Sequence, residues 1–221
     1  MWTKHDQYYS KTLMSKTEYN IQVEEQVWNS GIIDLLKDQK YICGYYIVSG
    51  ELTIYDITYH KDTLIWFTGG TSFNINSKDN AHLIYMETNR ELTDQKLAYK
   101  AYIDQDLSWA KPIGDEMTSS KHMITAEEYG VKIQTGIYTK DFDHAWHTHS
   151  AAHGFYVLNG MLKFDFENGN KGIYGPGEFI ASSPGEQVLH LQAEGSSYCK
   201  YLFIGDGPFD FIVNGINLYK K

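Results

Sequence analysis

The sequence predicts an all-β protein made of two similar halves. Short runs rich in β-branched and aromatic residues recur along the 221 residues, parted by turns at short intervals, which is the pattern of a sandwich or barrel. One of these runs also repeats. Tyr45–Ile54 lies over Phe155–Phe164 without gaps, so that Tyr46 meets Tyr156, Gly50 meets Gly160 and Leu52 meets Leu162. A second stretch, Tyr59–Gly70, matches Tyr174–Gly185 in the same order and at nearly the same spacing. Two matches in order argue for duplicated units more strongly than either alone.

Taken in order, residues 1–20 are polar with scattered Tyr and Met and read as an arm or a first short strand. Ile21–Trp28 partly alternates. Gly44–Asp56 is β-branched and aromatic around a central Gly-Glu, Thr63–Phe67 is a short apolar run closed by Gly69-Gly70, and His82–Glu87 is another. Residues 88–125 are charged and mixed, broken at Lys111-Pro112-Ile-Gly114; part of Glu91–Ala101 suits a helix, and Thr125-Ala-Glu-Glu128 offers a capping-box-like start. Strand text resumes at Val131–Tyr138 and continues through Gly154–Phe166, Gly172–Ala181, Gln187–Gln192 and Tyr198–Ile204, with Gly205–Tyr219 able to add a last strand. The expected organisation is an N-terminal unit over 1–100, a connection over 101–125 and a C-terminal unit over 126–221.

Composition narrows the function. A net charge of −9 disfavours a general nucleic-acid or anionic-membrane binder, and the aromatics are not interleaved with basic residues. Cys43 and Cys199 do not make a disulfide framework; Cys199 reads as a small buried hydrophobe. No run approaches the roughly 20 apolar residues that span a bilayer, and the N-terminus has no apolar signal core. The expectation is a soluble, cytoplasmic protein without nucleic-acid or membrane partners.

The chemistry concentrates at Asp141–Gly160, which holds four of the nine histidines. Residues i and i+2 of a strand point to one side, so His147 and His149 can aim two imidazoles at one point, and His153 can return from the next strand. Imidazole suits Zn, Fe, Ni and Cu, and three protein ligands with an open position is the pattern of a catalytic metal site. His144 reads as a rim residue, Asp141 and Asp143 as solvated loop acids, and Trp146, Phe155, Tyr156 and Val157 as barrel core, with Phe155 and Val157 in step with His153.

On these residues the chain resembles a cupin, and specifically a bicupin, a double-stranded β-helix in two copies. His147-x-His149-x3-His153-x6-Gly160 has the spacing of the first cupin motif, with His153 where most cupins have Glu and Asp141 where the first Gly is expected. Gly177-Glu178-Phe-Ile-Ala-Ser-Ser-Pro184-Gly185 resembles the second motif. The resemblance implies a small barrel with one divalent metal inside on the motif histidines. The all-imidazole set is similar to the three-histidine cupin dioxygenases that cleave β-diketones or dihydroxyacetophenone, and Tyr201–Gly215 is faintly similar to the end of the ChrR-like cupins.

Three departures shape the expectation. The second-motif His would fall near Val188; this chain has Val there and His190 two residues on, about 7 Å along the strand. Alternation would put Glu186, Val188 and His190 on one face, so His190 becomes a fourth ligand, a neighbour of the ligands or a substrate contact, and Glu186 a turn residue or, if inward, a general base. Replacing Glu by His at 153 removes an anionic ligand. In the N-terminal copy the ligand positions are Lys37, Gln39 and Cys43, with Ile75 opposite His190, so this copy is expected to hold no metal. Its His60 and His82 read as surface or core histidines.

The functional expectation is a metal-dependent enzyme acting on a small oxygenated molecule at His147, His149, His153 and His190. Fe2+ comes first among the metals, with Zn2+, Mn2+ or Ni2+ as alternatives, and the implied chemistry is that of a non-haem iron dioxygenase. Alternatives are a non-redox isomerase or lyase, and a non-catalytic sugar- or metabolite-binding sensor with a structural metal. A homodimer is implied by resemblance alone.

Overall fold

The computed structural model describes the chain apart from residues 35–38, 70–73, 93–97, 111–117, 140–144, 194, 209 and 219–221. It forms two compact units, Met1–Asp106 and Leu107–Lys221, both almost wholly of antiparallel strands. The boundary lies inside the segment read as a connection. Ala98–Ile103 is the last strand of the first unit's sheet, and Thr118–Ile124 is the first strand of the second unit's larger sheet. The helix expected within Glu91–Ala101 is corrected at its C-terminal end: Ala98–Ala101 pairs with Ile65–Gly69 of the strand Thr63–Gly69. Cross-strand partners override a weak local helix preference. No helix among the described residues is long and apolar enough to cross a membrane.

In the first unit, two long strands dominate. Tyr41–Ile54 and Asn74–Glu91 pair along most of their length, and Gln22–Trp28 and Tyr8–Met14 extend the same sheet. The core is aromatic: Trp28 meets Tyr45 edge-on at 5.1 Å, and Tyr45 meets Phe67 and Tyr85. His60 is exposed and pairs with Glu51 at 3.0 Å, while His82 bonds Glu25 at 2.8 Å.

The second unit carries the same plan in two sheets, beside the short tail hairpin Ile212–Val213 with Ile216–Asn217. Thr118–Ile124, Lys132–Thr139, Tyr198–Gly205, His153–Gly160 and Phe179–Ser182 form one; Lys171–Tyr174, Leu162–Phe166 and Val188–Gln192 form the other. Phe155, Phe164, Val188, Tyr201 and Phe203 fill the core between strands of both.

The register reproduces the sequence repeat residue by residue. Leu52 pairs with Tyr59 and Leu162 with Tyr174; Tyr46 pairs with Leu64 and Tyr156 with Phe179; Ile54 faces Ile75 and Phe164 faces His190. Gly50 and Gly160 occupy the same left-handed position, at φ +82° and +74°, where a side chain would be strained. The repeat also extends into a region that sequence reading left unmatched. Lys16–Tyr19 and Ala126–Tyr129 are twin single-turn helices, each ended by a left-handed residue, Asn20 or Gly130. The second has the capping box expected at Thr125–Glu128.

Candidate metal centre

The histidine segment is held extended from both sides. His147 and Val188 exchange two backbone hydrogen bonds, at 3.1 and 2.9 Å; Thr148 exchanges two with Ile212, both 3.0 Å; and Gly185 N donates to His149 O at 2.8 Å. Alternation along this extended segment puts the His147 and His149 side chains on one side and that of Thr148 on the other. Val188–Gln192 buries alternate residues, Val188, His190 and Gln192, and register places His190 opposite Phe164.

These constraints converge three imidazoles. One ligand atom each from His147, His149 and His190 lies within 4.8 Å of the others. His147 Nε2 is 3.0 Å from His190 Nε2. Two nitrogens about 2.1 Å from one ion and at roughly right angles to each other lie about 3.0 Å apart, so this spacing fits a shared cation. The outer nitrogens are held. His147 Nδ1–H donates to Ala145 O at 2.9 Å, His149 Nδ1–H donates to Asp210 O, and His190 Nδ1 contacts the Tyr138 hydroxyl at 2.9 Å. The two carbonyls fix the tautomer and ring direction of His147 and His149 and leave their Nε2 lone pairs for the centre, as metal-binding histidines require, and the Tyr138 hydroxyl fixes the ring direction of His190. His149 Nε2 is buried and makes no hydrogen bond among the described residues, as suits a donor awaiting an ion.

His153 stands at the edge of this group. Its ring is 4.2 Å from that of His149 and 6.3 Å from that of His190, and both its nitrogens lie near Ser182 Oγ, at 3.1 and 3.2 Å. In this geometry His190 completes the three-nitrogen group, and His153 is held by Ser182 beside it. Glu186 takes the turn role of its two readings: its carboxylate accepts from Ser183 N at 3.1 Å, closing a turn ahead of the strand. Alternation with Val188 and His190 does not reach it because the strand begins at Val188. Asp141, Asp143 and His144 lie outside the described residues. Tyr138, Asp210 and Phe211 were not singled out by sequence; Tyr138 reaches the site from the strand Lys132–Thr139 and the other two from the segment just ahead of Ile212–Val213, and only the strand text around Tyr138 and in the tail could have pointed to them.

All four histidines are 3 % exposed or less. Burial pushes His149 down to about 4, against the raising effect of the Asp210 carbonyl and carboxylate, and pushes His153 well below the usual imidazole range, aided by His149 and His147. Both rings are therefore neutral at pH 7, the form that binds metal. The free space beside them, bounded by Ala152, Phe203, Gly205, Gly207 and Pro208, is about 10 Å³, room for about one water.

In the first unit the corresponding positions differ. Cys43 is buried, and burial pushes its thiol up, with Glu87 adding to the effect. Gln39 donates to Glu87 at 2.7 Å; Glu87 also accepts from Tyr85 at 2.7 Å and from Lys16 at 2.6 Å. These donors hold the Glu87 carboxyl below its usual range, against burial. The position of Ile75 is apolar and buried. Lys37 lies outside the described residues.

Solved structures share this cupin-type fold. The putative glyoxylate-induced protein of Pseudomonas aeruginosa matches with a TM-score of 0.70 at 11% identity, over 93% of this chain and 84% of that one. The Lactobacillus farciminis oxalate decarboxylase, as its formate complex, matches with a TM-score of 0.69 at 10% identity, over 95% and 84%. A Cupin 2 conserved barrel domain protein from Leptotrichia buccalis matches with a TM-score of 0.64 at 17% identity, over 92% and 91%. No protein-family profile and no curated protein matches the chain.

Proposed function

We propose that this protein is a bicupin metalloenzyme whose second unit holds one divalent transition metal and acts on a small oxygenated molecule, with dioxygenase-like chemistry. The observation that carries the reading is the convergence of His147, His149 and His190, each with its outer nitrogen anchored. His153 is the fourth imidazole of the reading, reached by a turn of its ring away from Ser182. A divalent ion there would supply Lewis acidity and, as Fe2+, redox chemistry with O2. The chain's own part is to hold the rings neutral, to orient them, and to exclude water with Phe155, Phe203 and Phe211, which pack on them at 4.0–5.7 Å between ring centres. Among the structural neighbours, the Bacillus subtilis oxalate decarboxylase is described as having Mn(II) centres, which supports a divalent metal and keeps Mn2+ beside Fe2+ and Zn2+.

A second reading is a sensor or binding protein with a structural metal, which a fourth imidazole filling the last open position would favour, because closed sites are structural. Metal analysis of protein produced without added zinc, followed by oxygen-uptake assays with β-diketones and other small enolisable compounds, separates the two. Stoichiometric iron with substrate-dependent oxygen uptake supports the enzyme. Tight stoichiometric zinc with no exchangeable coordination position sinks it. Sedimentation of the same sample tests the homodimer.

A further inference from the structure

We infer that the C-terminal hairpin is part of the metal centre: Asp210 and Phe211 position His149 and His147, so that docking of the tail and binding of the metal are one coupled equilibrium. The inference rests on the metal reading above.

After the strand Tyr198–Gly205 the chain stays on the site. Asp206 N donates to Ala152 O at 2.9 Å, and Gly207, at φ +126°, makes a turn that favours glycine. Asp210 follows, 7 % exposed, and grips the histidine segment twice. Its main-chain carbonyl accepts from His149 Nδ1, and its Oδ1 accepts from Ser150 N at 2.8 Å. Phe211 stacks on His147 with ring centres 4.0 Å apart and planes 21° apart. Ile212 then pairs with Thr148, and Ile212–Val213 folds back on Ile216–Asn217 around Asn214 and Gly215, both left-handed. The hairpin closes on Phe211, whose carbonyl accepts from Leu218 N at 2.9 Å.

Two of the three converging imidazoles thus take their orientation from the tail. The Asp210 carbonyl keeps the proton of neutral His149 on Nδ1 and its lone pair on Nε2. Phe211 fixes the plane of a ring whose direction Ala145 O has already set. Without these partners both rings gain freedom that metal binding must remove. Linkage is reciprocal: whatever the tail adds to metal affinity, the metal returns as tail docking. Gly207 and Pro208 of the tail also line the small space beside His149 and His153.

The test uses full-length protein and Zn2+ as probe. Asp210→Ala removes the carboxylate that ties the tail to Ser150, and Phe211→Ala removes the stack; Asp210→Asn and Phe211→Tyr keep an acceptor and a ring. In chelator competition, the alanine variants bind zinc about 10–100-fold more weakly, while the conservative pair stays within about 3-fold of the parent. By hydrogen exchange, saturating zinc slows the Thr148 and Ile212 amides of the parent by about 10-fold or more, and less in the alanine variants. A tail that only supports the fold would show no more slowing by zinc than amides of the second unit remote from the site. Folded alanine variants with parental affinity, or zinc-insensitive exchange at Ile212, overturn the inference and leave the metal reading standing. A parent that takes up no zinc, manganese or iron removes the metal reading and this inference with it. If an alanine variant fails to fold, the zinc dependence of exchange in the parent decides.

Discussion

Tyr138→Phe removes one oxygen from the second unit and should weaken its metal site while sparing its packing. The hydroxyl meets His190 Nδ1 at 2.9 Å, while the ring stacks on Tyr201 at 4.6 Å and touches Phe155. Phenylalanine keeps both ring contacts. The hydroxyl has a part that no apolar group can take over. His147 and His149 have their Nε2 lone pairs fixed by carbonyls, so with no ion present the 3.0 Å contact between His147 and His190 requires His190 to donate from Nε2 and accept at Nδ1. To offer Nε2 as a ligand, His190 must move its proton to Nδ1. A hydroxyl serves both tautomers, donating to one and accepting from the other. Loss of such a partner costs about 10–100-fold in metal affinity, or about 1.4–2.7 kcal/mol. The metal-stripped variant should also unfold about 1–3 kcal/mol more easily, the cost of leaving a buried nitrogen unsatisfied. Chelator competition measures the first quantity and urea unfolding the second. Parental zinc and iron affinity in a variant that is nonetheless destabilised would refute the reasoning: the hydroxyl would then serve the fold and not the ligand.

Three further outcomes follow from the geometry. The metal-free protein should lose stability between pH 7.5 and 5, because the folded value of His149, about 4, lies below the unfolded one, so the unfolded chain takes the proton first as pH falls through about 6.5; this ring alone contributes about 2 kcal/mol at pH 5, and urea midpoints that stay flat over the range would contradict its neutral burial. Gly160→Ala should destabilise more than Gly50→Ala, since the new methyl would sit 1.9 Å from the Tyr198 carbonyl oxygen against 2.8 Å from Ala81 Cα; the combined left-handed strain and overpacking is about 2–5 kcal/mol at Gly160, readable by thermal unfolding. Glu186→Gln should leave metal affinity unchanged and any activity within about 2-fold, because its carboxylate only closes the turn at Ser183; a large loss of turnover would return it to the site.

Much of this was legible because strand chemistry is local and has period two. The run around Gly50 and its twin around Gly160 announce the same turn by composition, and the structure gives both the same left-handed backbone. The paired histidines at 147 and 149 share a side for the same reason. What was not legible depends on where strands begin and what faces them. Glu186 falls out of phase because pairing starts at Val188. His190 looked displaced by two residues, yet Val188 pairs with His147, so the displaced residue is the one that meets the cluster. Tyr138 and Asp210 are separated from their histidines by 52 and 61 positions, a distance no local pattern spans. The helix expected before Ala101 failed where Thr63–Gly69 offered a sheet edge to that stretch.

The split of the second unit into two sheets has a mechanical consequence. In the first unit, Tyr41–Ile54 and Asn74–Glu91 run unbroken through what the second divides into His153–Gly160 and Leu162–Phe166, and into Val188–Gln192 and Tyr198–Gly205. His190 therefore rides on the three-stranded sheet, while its Tyr138 anchor and His153 belong to the five-stranded one. A bound ion with His153 turned onto it would rivet the two sheets across a seam that backbone hydrogen bonds close in the first unit. Calorimetry should then show unfolding of the second unit shifting to higher temperature with added metal, the rivet being what that unit has in place of continuous strands.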